Sequence, residues 1–179
     1  IKEHIVKALE EKIQFMTQMP FFQNWERTAL LAISHFLKPV HFDRHQVVYR
    51  KDDPAGAVYF VRSGECSVLA ESLGTPRGLS KMSVLFLHGP NATFGEDDVL
   101  YGIARQHTVI CNTSLEGFSM DANDFCDKLP LDTLKELRRL SEAKSNFIAK
   151  RNKTLAETPK KINRFWRSRK AEVEVNNIT

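Results

Sequence analysis

The sequence predicts an α+β domain in which helices flank a central region of short β-strands. Three observations predict it. Apolar residues recur at helical spacing towards both ends, short β-rich runs separated by turn residues fill the middle, and 179 residues suffice for one well-cored domain with helical extensions. Short strands at this spacing favour a sandwich or a small barrel over a parallel βαβ sheet.

The N-terminal segment, residues 1–40, is predicted to be helical. Apolar side chains recur every three or four positions over residues 1–19, as on one face of a helix, and Pro20 ends the pattern. The same spacing returns between Glu26 and Leu37, and Pro39 supplies the second stop. We therefore expect two helices before the strands begin.

Strands are predicted over residues 41–123, where the hydrophobic pattern changes. Turn residues separate the first runs, at Asp52-Asp53-Pro54 and at Ser63-Gly64. Residues 71–81 are rich in Gly, Pro and Ser, and we expect a mobile surface loop there. The β-rich runs are Val47–Tyr49, Val58–Val61, Cys66–Leu69, Ser83–Leu87, Thr108–Cys111 and Leu115–Met120.

Helical periodicity resumes after Asn123, and C-terminal helices are predicted over residues 124–158. Thr158-Pro159 breaks the pattern, and a basic tail, residues 159–179, follows. From Lys144 onward ten Lys or Arg stand against three Glu, so this end is positive, while the preceding residues carry net negative charge. The predicted apolar stripe consists of Leu131, Leu134, Leu137 and Leu140.

The residue types and their spacing argue against several classes of function. The three cysteines, Cys66, Cys111 and Cys126, lack metal-ligand or redox spacing, so we interpret them as buried small apolar residues in a reducing, cytoplasmic compartment. No nucleophile stands beside a base and no set of metal ligands occurs, so we predict no catalytic residue, cofactor or metal. No apolar run is long enough to cross a bilayer, so we expect no transmembrane segment in this chain.

The residues from Phe94 to Val109 carry the pattern of a phosphate-binding loop. Gly95 permits a sharp turn, and Glu96 to Leu100 can form one helical turn whose free amide groups face an anion. Arg105 follows nine residues after Glu96. A guanidinium can donate to two phosphate oxygens at once, and a carboxylate can accept from a sugar hydroxyl. The loop therefore has the groups that a ribose phosphate requires.

This stretch resembles the phosphate-binding cassette of cyclic-nucleotide-binding domains, as found in protein kinase A regulatory subunits, gated channels and bacterial catabolite activators. The resemblance rests on Phe94-Gly95-Glu96, on Arg105 and on Thr108-Val109 in the family's order and spacing. Flanking residues, from Phe42 through the run Tyr59-Phe60-Val61 and on to Phe125, resemble the family's other strands and the helix that follows them. The resemblance covers roughly residues 22–155.

The resemblance implies an eight-stranded antiparallel β-roll, jelly-roll-like, with N-terminal helices and C-terminal lid helices. It also implies that Glu96 contacts the ribose 2′-hydroxyl, that Arg105 pairs with the cyclic phosphate, and that the helix containing Phe147 folds over the base. The implied ligand is cAMP or cGMP. The predicted ligand-binding residues are Phe94, Gly95, Glu96, Asp97, Asp98, Arg105, Gln106, His107 and Phe147.

The cassette also departs from the family pattern. Asp97 and Asp98 replace small or apolar residues, and their charges oppose phosphate binding unless they point into solvent. Acidic residues also favour the first turn of a helix, so this pair can stabilise the empty loop. Gln106 and His107 replace small residues, and His107 favours phosphate only when it is protonated. His45 and Asp52 stand where the family commonly has turn glycines, in a conformation that Asp tolerates well.

Two functions of different classes follow. The first is a regulatory module that binds a cyclic purine nucleotide and transmits binding through its C-terminal helix to an effector protein or to the remainder of a larger chain. The second is a protein-interaction scaffold that keeps the β-roll but has lost nucleotide affinity. A nucleoside in the same pocket is a third possibility. DNA reading is not expected, because too few residues follow Leu155 for a winged helix.

Overall fold

The computed structural model describes residues 2–72 and 81–150. Within these residues eight strands form two four-stranded sheets with antiparallel pairing, and helices precede and follow them. This arrangement confirms the predicted α+β class and the antiparallel β-roll. The chain divides into two compact units, residues 1–134 and residues 135–179.

Helical segments precede the first strand, as predicted. They are α1 (Lys2–Gln18), a 3-10 helix (Pro20–Phe22) and α2 (Arg27–Ser34). Lys12 of α1 donates two hydrogen bonds through Nζ, to the carbonyl oxygens of Ser34 at 3.0 Å and Leu37 at 2.9 Å. Carbonyl groups at the end of a helix lack helical partners, so this lysine fixes α1 against the end of α2. Phe15 of α1 also packs on Phe118, with 5.3 Å between ring centroids.

The strands follow in two sheets. In chain order they are β1 (Lys38–Phe42), β2 (Val47–Tyr49), β3 (Ala57–Ser63), β4 (Cys66–Ser72), β5 (Lys81–His88), β6 (Thr93–Phe94), β7 (Thr108–Cys111) and β8 (Leu115–Asp121). One sheet has the order β1-β8-β3-β6 and the other the order β2-β7-β4-β5. The six predicted strands are therefore confirmed. The predicted loop over residues 71–81 is wrong at its ends, which belong to β4 and β5, and residues 73–80 lie outside the described residues.

Two strands were not predicted from the hydrophobic pattern. β1 contains Pro39, which we expected to terminate a helix. Proline is tolerated here because β1 lies at the edge of its sheet among the described residues, and an edge strand needs ladder hydrogen bonds on one side only. β6 has only two residues, and two residues are too few to show a period.

The core lies between the two sheets. Cys66 and Cys111 face each other there as register partners on β4 and β7, and both are buried, as predicted. Cys126 is exposed, so that part of the cysteine prediction is wrong. Its neighbour Phe125 takes the buried face of the helix, and adjacent helical residues point about 100° apart. The central cluster is Val61, Cys66, Val68, Phe94, Val109, Cys111 and Leu115.

Close backbone packing explains one glycine in the sheet. Gly117 of β8 lies so near β3 that a Cβ atom would overlap the backbone carbonyl oxygen of Phe60. Three of the described residues, His45, Asp52 and Asn91, adopt the left-handed conformation without being glycine. His45 has φ of 67° and Asp52 has φ of 70°, so both occupy turn positions where the family pattern has glycine.

Helices follow β8. In α4 (Ala122–Lys128), Asp121 caps the N-terminus, because its Oδ1 accepts from the backbone N–H of Asn123 at 2.9 Å. The chain is helical again over residues 131–150. Leu134 is buried, but Leu131 and Leu140 are exposed, so the predicted stripe is wrong at both of its ends. Residues 151–158 and the predicted basic tail, residues 159–179, lie outside the described residues.

Candidate functional site

The cassette begins with a turn that only glycine fits well. β6 ends at buried Phe94, whose ring stacks on Tyr59 at 5.1 Å between centroids. Gly95 then adopts φ of 81°, and α3 (Glu96–Tyr101) follows it, which confirms the predicted helical turn. A Cβ atom on Gly95 would lie 2.9 Å from Nη1 of Arg105. Gly95 is therefore required both by its backbone conformation and by the arginine beside it.

Arg105 lies inside the protein. Its side chain is 1% exposed, and it belongs to the largest fully buried side chains among the described residues. Nη1 donates to the carbonyl oxygen of Gly95 at 2.7 Å, and Nη2 donates to the carbonyl oxygen of Ala57. The guanidinium carbon lies 4.1 Å from the ring centroid of Tyr49, which is cation–π distance. The buried Nε has no hydrogen-bond partner.

The backbone of Arg105 is tied to the turn that joins β2 and β3. Its N–H donates to the carbonyl oxygen of Asp53 at 2.9 Å, and its carbonyl oxygen accepts from the N–H of Asp52 at 2.8 Å. The carboxylate of Asp53 also closes this turn, because Oδ2 accepts from the N–H of Arg50 at 2.7 Å. Both the backbone and the side chain of Arg105 are therefore held by residues of β2, β3 and their connection.

Asp98 faces inward instead of pointing into solvent. It is 8% exposed, and its Oδ2 lies 3.6 Å from Nη1 of Arg105. Burial raises the pKa of the Asp98 carboxyl above its usual value, while Arg105 and the backbone N–H of Gln106 partly offset that rise. Asp97, in contrast, is partly exposed. The two acidic residues that look alike in the sequence therefore have different environments.

Glu96 and Tyr49 lie in the same electrostatic environment as Arg105. Oε2 of Glu96 is buried. Burial raises the pKa of the Tyr49 phenol, with Arg105 lowering it and the carboxylates of Asp98 and Glu96 raising it further. The charges of Arg105, Asp98 and Glu96 therefore all act on the Tyr49 phenol. The predicted contact of Glu96 with a ribose hydroxyl stays a prediction.

The remaining predicted site residues are more peripheral. The side chain of Gln106 is exposed and donates through Nε2 to the carbonyl oxygen of Ala104 at 2.9 Å. His107 is partly buried, and its charge lowers the pKa of Asp98. Phe147 belongs to the second unit, where its side chain is exposed. Its predicted contact with a base stays a prediction.

Sequence reasoning missed two groups that hold Arg105. Tyr49 appeared only as the end of a predicted strand, although an aromatic residue on the inward face of a strand is a recognisable partner for a buried cation. The other group is the backbone carbonyl of Ala57, which no side-chain pattern reveals. A cavity of about 540 Å³ lies nearby and is lined by α3 and α4, with Val99, Ile103 and Cys126 among its residues.

Comparison with known proteins gives a family match over half of the chain. Residues 39–129 match the model of the cyclic nucleotide-binding domain. A CRP-like cAMP-activated global transcriptional regulator of Mycobacterium tuberculosis is 26% identical over 108 residues, which are 60% of this chain and 46% of that protein.

Two solved structures share the fold. The regulatory domain of Toxoplasma gondii PKA with cAMP has a TM-score of 0.71 at 14% identity, over 80% of this chain and 53% of the other. The regulatory subunit of a cAMP-independent protein kinase A from Trypanosoma cruzi, bound to guanosine, has a TM-score of 0.64 at 14% identity. This match covers 75% of this chain and 46% of the other. The chain therefore spans about half the length of each of these three proteins.

Proposed function

Because the chain belongs to the cyclic nucleotide-binding domain family, we propose that it is a regulatory module that binds cAMP or cGMP at the cassette, residues 94–109. The observation that carries this proposal is the buried guanidinium of Arg105, whose Nε has no hydrogen-bond partner. A buried donor without an acceptor is unfavourable by about 1–3 kcal/mol. A phosphate oxygen supplies the missing acceptor.

We assign the roles within the site from the family pattern, and the burial of Arg105 supports its assignment. Arg105 binds the cyclic phosphate, Glu96 accepts from the ribose hydroxyl, and Gly95 leaves room for the arginine. The helix that contains Phe147 covers the base and transmits binding to an effector protein or to the remainder of a larger chain. Ligand drives this change only through tighter binding to the covered state.

The proposed module is not an enzyme. Nucleotide recognition by Arg105 and Glu96 needs no bond to form or break, and the proposal therefore assigns no catalytic residue, cofactor or metal. Among the described residues no group of three or more His, Cys, Asp or Glu is placed to hold a metal ion. The described helices also include none with the length and apolar character to span a membrane. We propose a reducing, cytoplasmic setting, because Cys66 and Cys111 are adjacent and unbonded.

Calorimetric titration tests nucleotide binding directly. We expect the wild-type chain to bind cAMP or cGMP, and we expect Arg105→Ala to weaken binding about 100-fold, the effect of losing charge-assisted hydrogen bonds. Arg62→Ala is the matched control, since Arg62 is an exposed arginine of β3 outside the cassette. If neither nucleotide binds the wild type at millimolar concentration, or if both variants bind alike, the proposed function is wrong.

One observation favours a second candidate, the scaffold without nucleotide affinity. Arg105 already donates to Gly95 and Ala57, contacts Tyr49 and lies beside the Asp98 carboxylate, so the protein itself supplies most of what a ligand would offer. The titration separates the candidates when adenosine and guanosine are added as further ligands. Binding of a nucleoside alone would identify a site for neutral ligands, and binding of no ligand would support the scaffold.

A further inference from the structure

Asp98 is placed as a partner of Arg105 but does not bind it tightly. The distance of 3.6 Å between Oδ2 of Asp98 and Nη1 of Arg105 is an ion-pair distance that exceeds hydrogen-bond length. The hydrogen bonds of Nη1 and Nη2 go instead to the carbonyl oxygens of Gly95 and Ala57. Asp98 therefore balances the charge of Arg105 without occupying its donors.

A bound phosphate changes the charge balance of this buried region. Arg105 already faces the carboxylate of Asp98, with side-chain exposures of 1% and 11%, and Glu96 has a buried carboxylate oxygen in the same region. A cyclic phosphate brings a further negative charge to the same guanidinium. Charges that are shielded from water interact much more strongly than exposed ones, so the carboxylate and the phosphate oppose each other.

We propose that Asp98 is an internal competitor of the ligand phosphate for Arg105, which neutralises the empty cassette and sets its affinity for nucleotide. This inference rests on the proposed function, because it concerns regulation of the same site. The long contact between Asp98 and Arg105 makes the carboxylate displaceable, whereas the Gly95 and Ala57 hydrogen bonds keep the guanidinium in position. The empty cassette thus keeps its arginine in position, and it is selective for ligands that displace the carboxylate.

Two substitutions test the competition. Asp98→Asn keeps the size of the side chain and removes its charge, and Asp98→Ala removes the side chain beyond Cβ. We expect both to tighten cAMP binding about tenfold or more, since a tenfold change corresponds to about 1.4 kcal/mol. Asp97→Asn removes the same formal charge one residue earlier, from a partly exposed position. It should tighten binding by less than about threefold, because exposed charges are screened. Thermal unfolding of each variant verifies that it folds.

The outcomes separate this inference from the proposed function. If the wild type binds and the Asp98 variants bind no more tightly than Asp97→Asn, the competition is wrong while the proposed function stands. Weaker binding by Asp98→Asn would mean that the carboxylate positions Arg105 for the ligand. If only the Asp98 variants bind, the competition is supported and the wild-type chain is a scaffold. If neither the wild type nor any variant binds cAMP or cGMP at millimolar concentration, both are wrong.

Discussion

The guanidinium of Arg105 lies over the ring of Tyr49, with 4.1 Å between the guanidinium carbon and the ring centroid. Arg105 is buried and Tyr49 is partly buried at the end of β2, and the aromatic face offers the cation a partner where water does not. This contact joins the strand β2 to the cassette, since Arg105 follows Tyr49 by 56 positions in the sequence. Tyr49 is thereby part of the candidate site.

Replacing Tyr49 separates the role of its ring from that of its hydroxyl. We expect Tyr49→Leu to weaken cAMP binding about tenfold or more, because a desolvated cation–π contact contributes about 2 kcal/mol. Tyr49→Phe keeps the ring over Arg105 and should bind within about threefold of the wild type. Calorimetric titration measures both variants. Equal losses in the two variants would show that the hydroxyl group, and not the ring, supports Arg105.

Substitution at Gly95 tests the turn that precedes α3. Gly95→Ala places a methyl group 2.9 Å from Nη1 of Arg105 and forces an alanine to φ of 81°. We expect a loss of about 1–2 kcal/mol in unfolding free energy from the backbone conformation, and weaker nucleotide binding from the displaced arginine. Gly56→Ala is the control, because a Cβ there meets no atom within 4 Å. Urea denaturation and titration measure the two effects, and a Gly95→Ala variant as stable as Gly56→Ala would contradict the prediction.

The sheet should be even less tolerant at Gly117. Any side chain there meets the backbone carbonyl of Phe60 in β3, and a backbone atom cannot move aside as a flexible side chain can. We expect Gly117→Ala to lower the unfolding free energy by about 3 kcal/mol or more, since overpacking in a core costs about 1–3 kcal/mol and here the sheet pairing is also disturbed. Gly89→Ala, which also meets no atom within 4 Å, should change stability little. Chemical denaturation of both variants tests this contrast.

The three thiols should differ in reactivity. Cys126 is exposed, whereas Cys66 and Cys111 are buried, and burial raises the pKa of Cys66 to about 12 and also raises that of Cys111. The thiolate is the reacting form, so an aromatic disulfide reagent should modify one thiol in the native protein and three after denaturation in guanidinium. Cys126→Ser should leave no fast-reacting thiol. Rapid modification of a second thiol in the native protein would show that the space between the sheets is accessible.

The burial of Asp98 predicts a pH dependence of stability. Its pKa is raised above the ordinary value of 3.8 by burial, with Arg105, the Gln106 amide and His107 lowering it and Asp97 raising it. An acid with a raised pKa in the folded state contributes stability that is present below 3.8 and is lost as pH rises through the raised pKa. The melting temperature of the wild type minus that of Asp98→Asn should therefore fall as pH rises through this window and be constant above it. A difference that increases with pH would mean that Arg105 holds the carboxylate ionised more strongly than burial opposes it.

Much of the fold and part of the site were predictable from the sequence, for physical reasons. The strand Thr108–Cys111 alternates in burial, so it could be predicted from the local sequence pattern. β1 could not be predicted in this way, because proline occurs both at the ends of helices and in edge strands, and Pro39 alone does not distinguish the two. Gly95 and Arg105 could be predicted as site residues, because glycine permits a sharp turn and a guanidinium can donate to two phosphate oxygens.

The environment of the carboxylates was not predictable. Asp97 and Asp98 are adjacent and chemically identical, and only the rotation of α3 decides that Asp98 faces the arginine while Asp97 is partly exposed. The support that Ala57 gives to Arg105 comes from a backbone carbonyl, which every residue has. Contacts of this kind depend on how segments that are distant in the sequence approach one another, and they cannot be predicted from the residue types alone.

Pro39 also affects how this protein behaves at high concentration. A strand at the edge of a sheet exposes unpaired N–H and carbonyl groups that can add a strand from another molecule, which is the first step of aggregation. The proline in β1 has no N–H to donate, and its ring hinders a neighbouring backbone. At this edge of the β1-β8-β3-β6 sheet, the residue that obscured the strand in the sequence therefore disfavours the addition of a strand from another molecule.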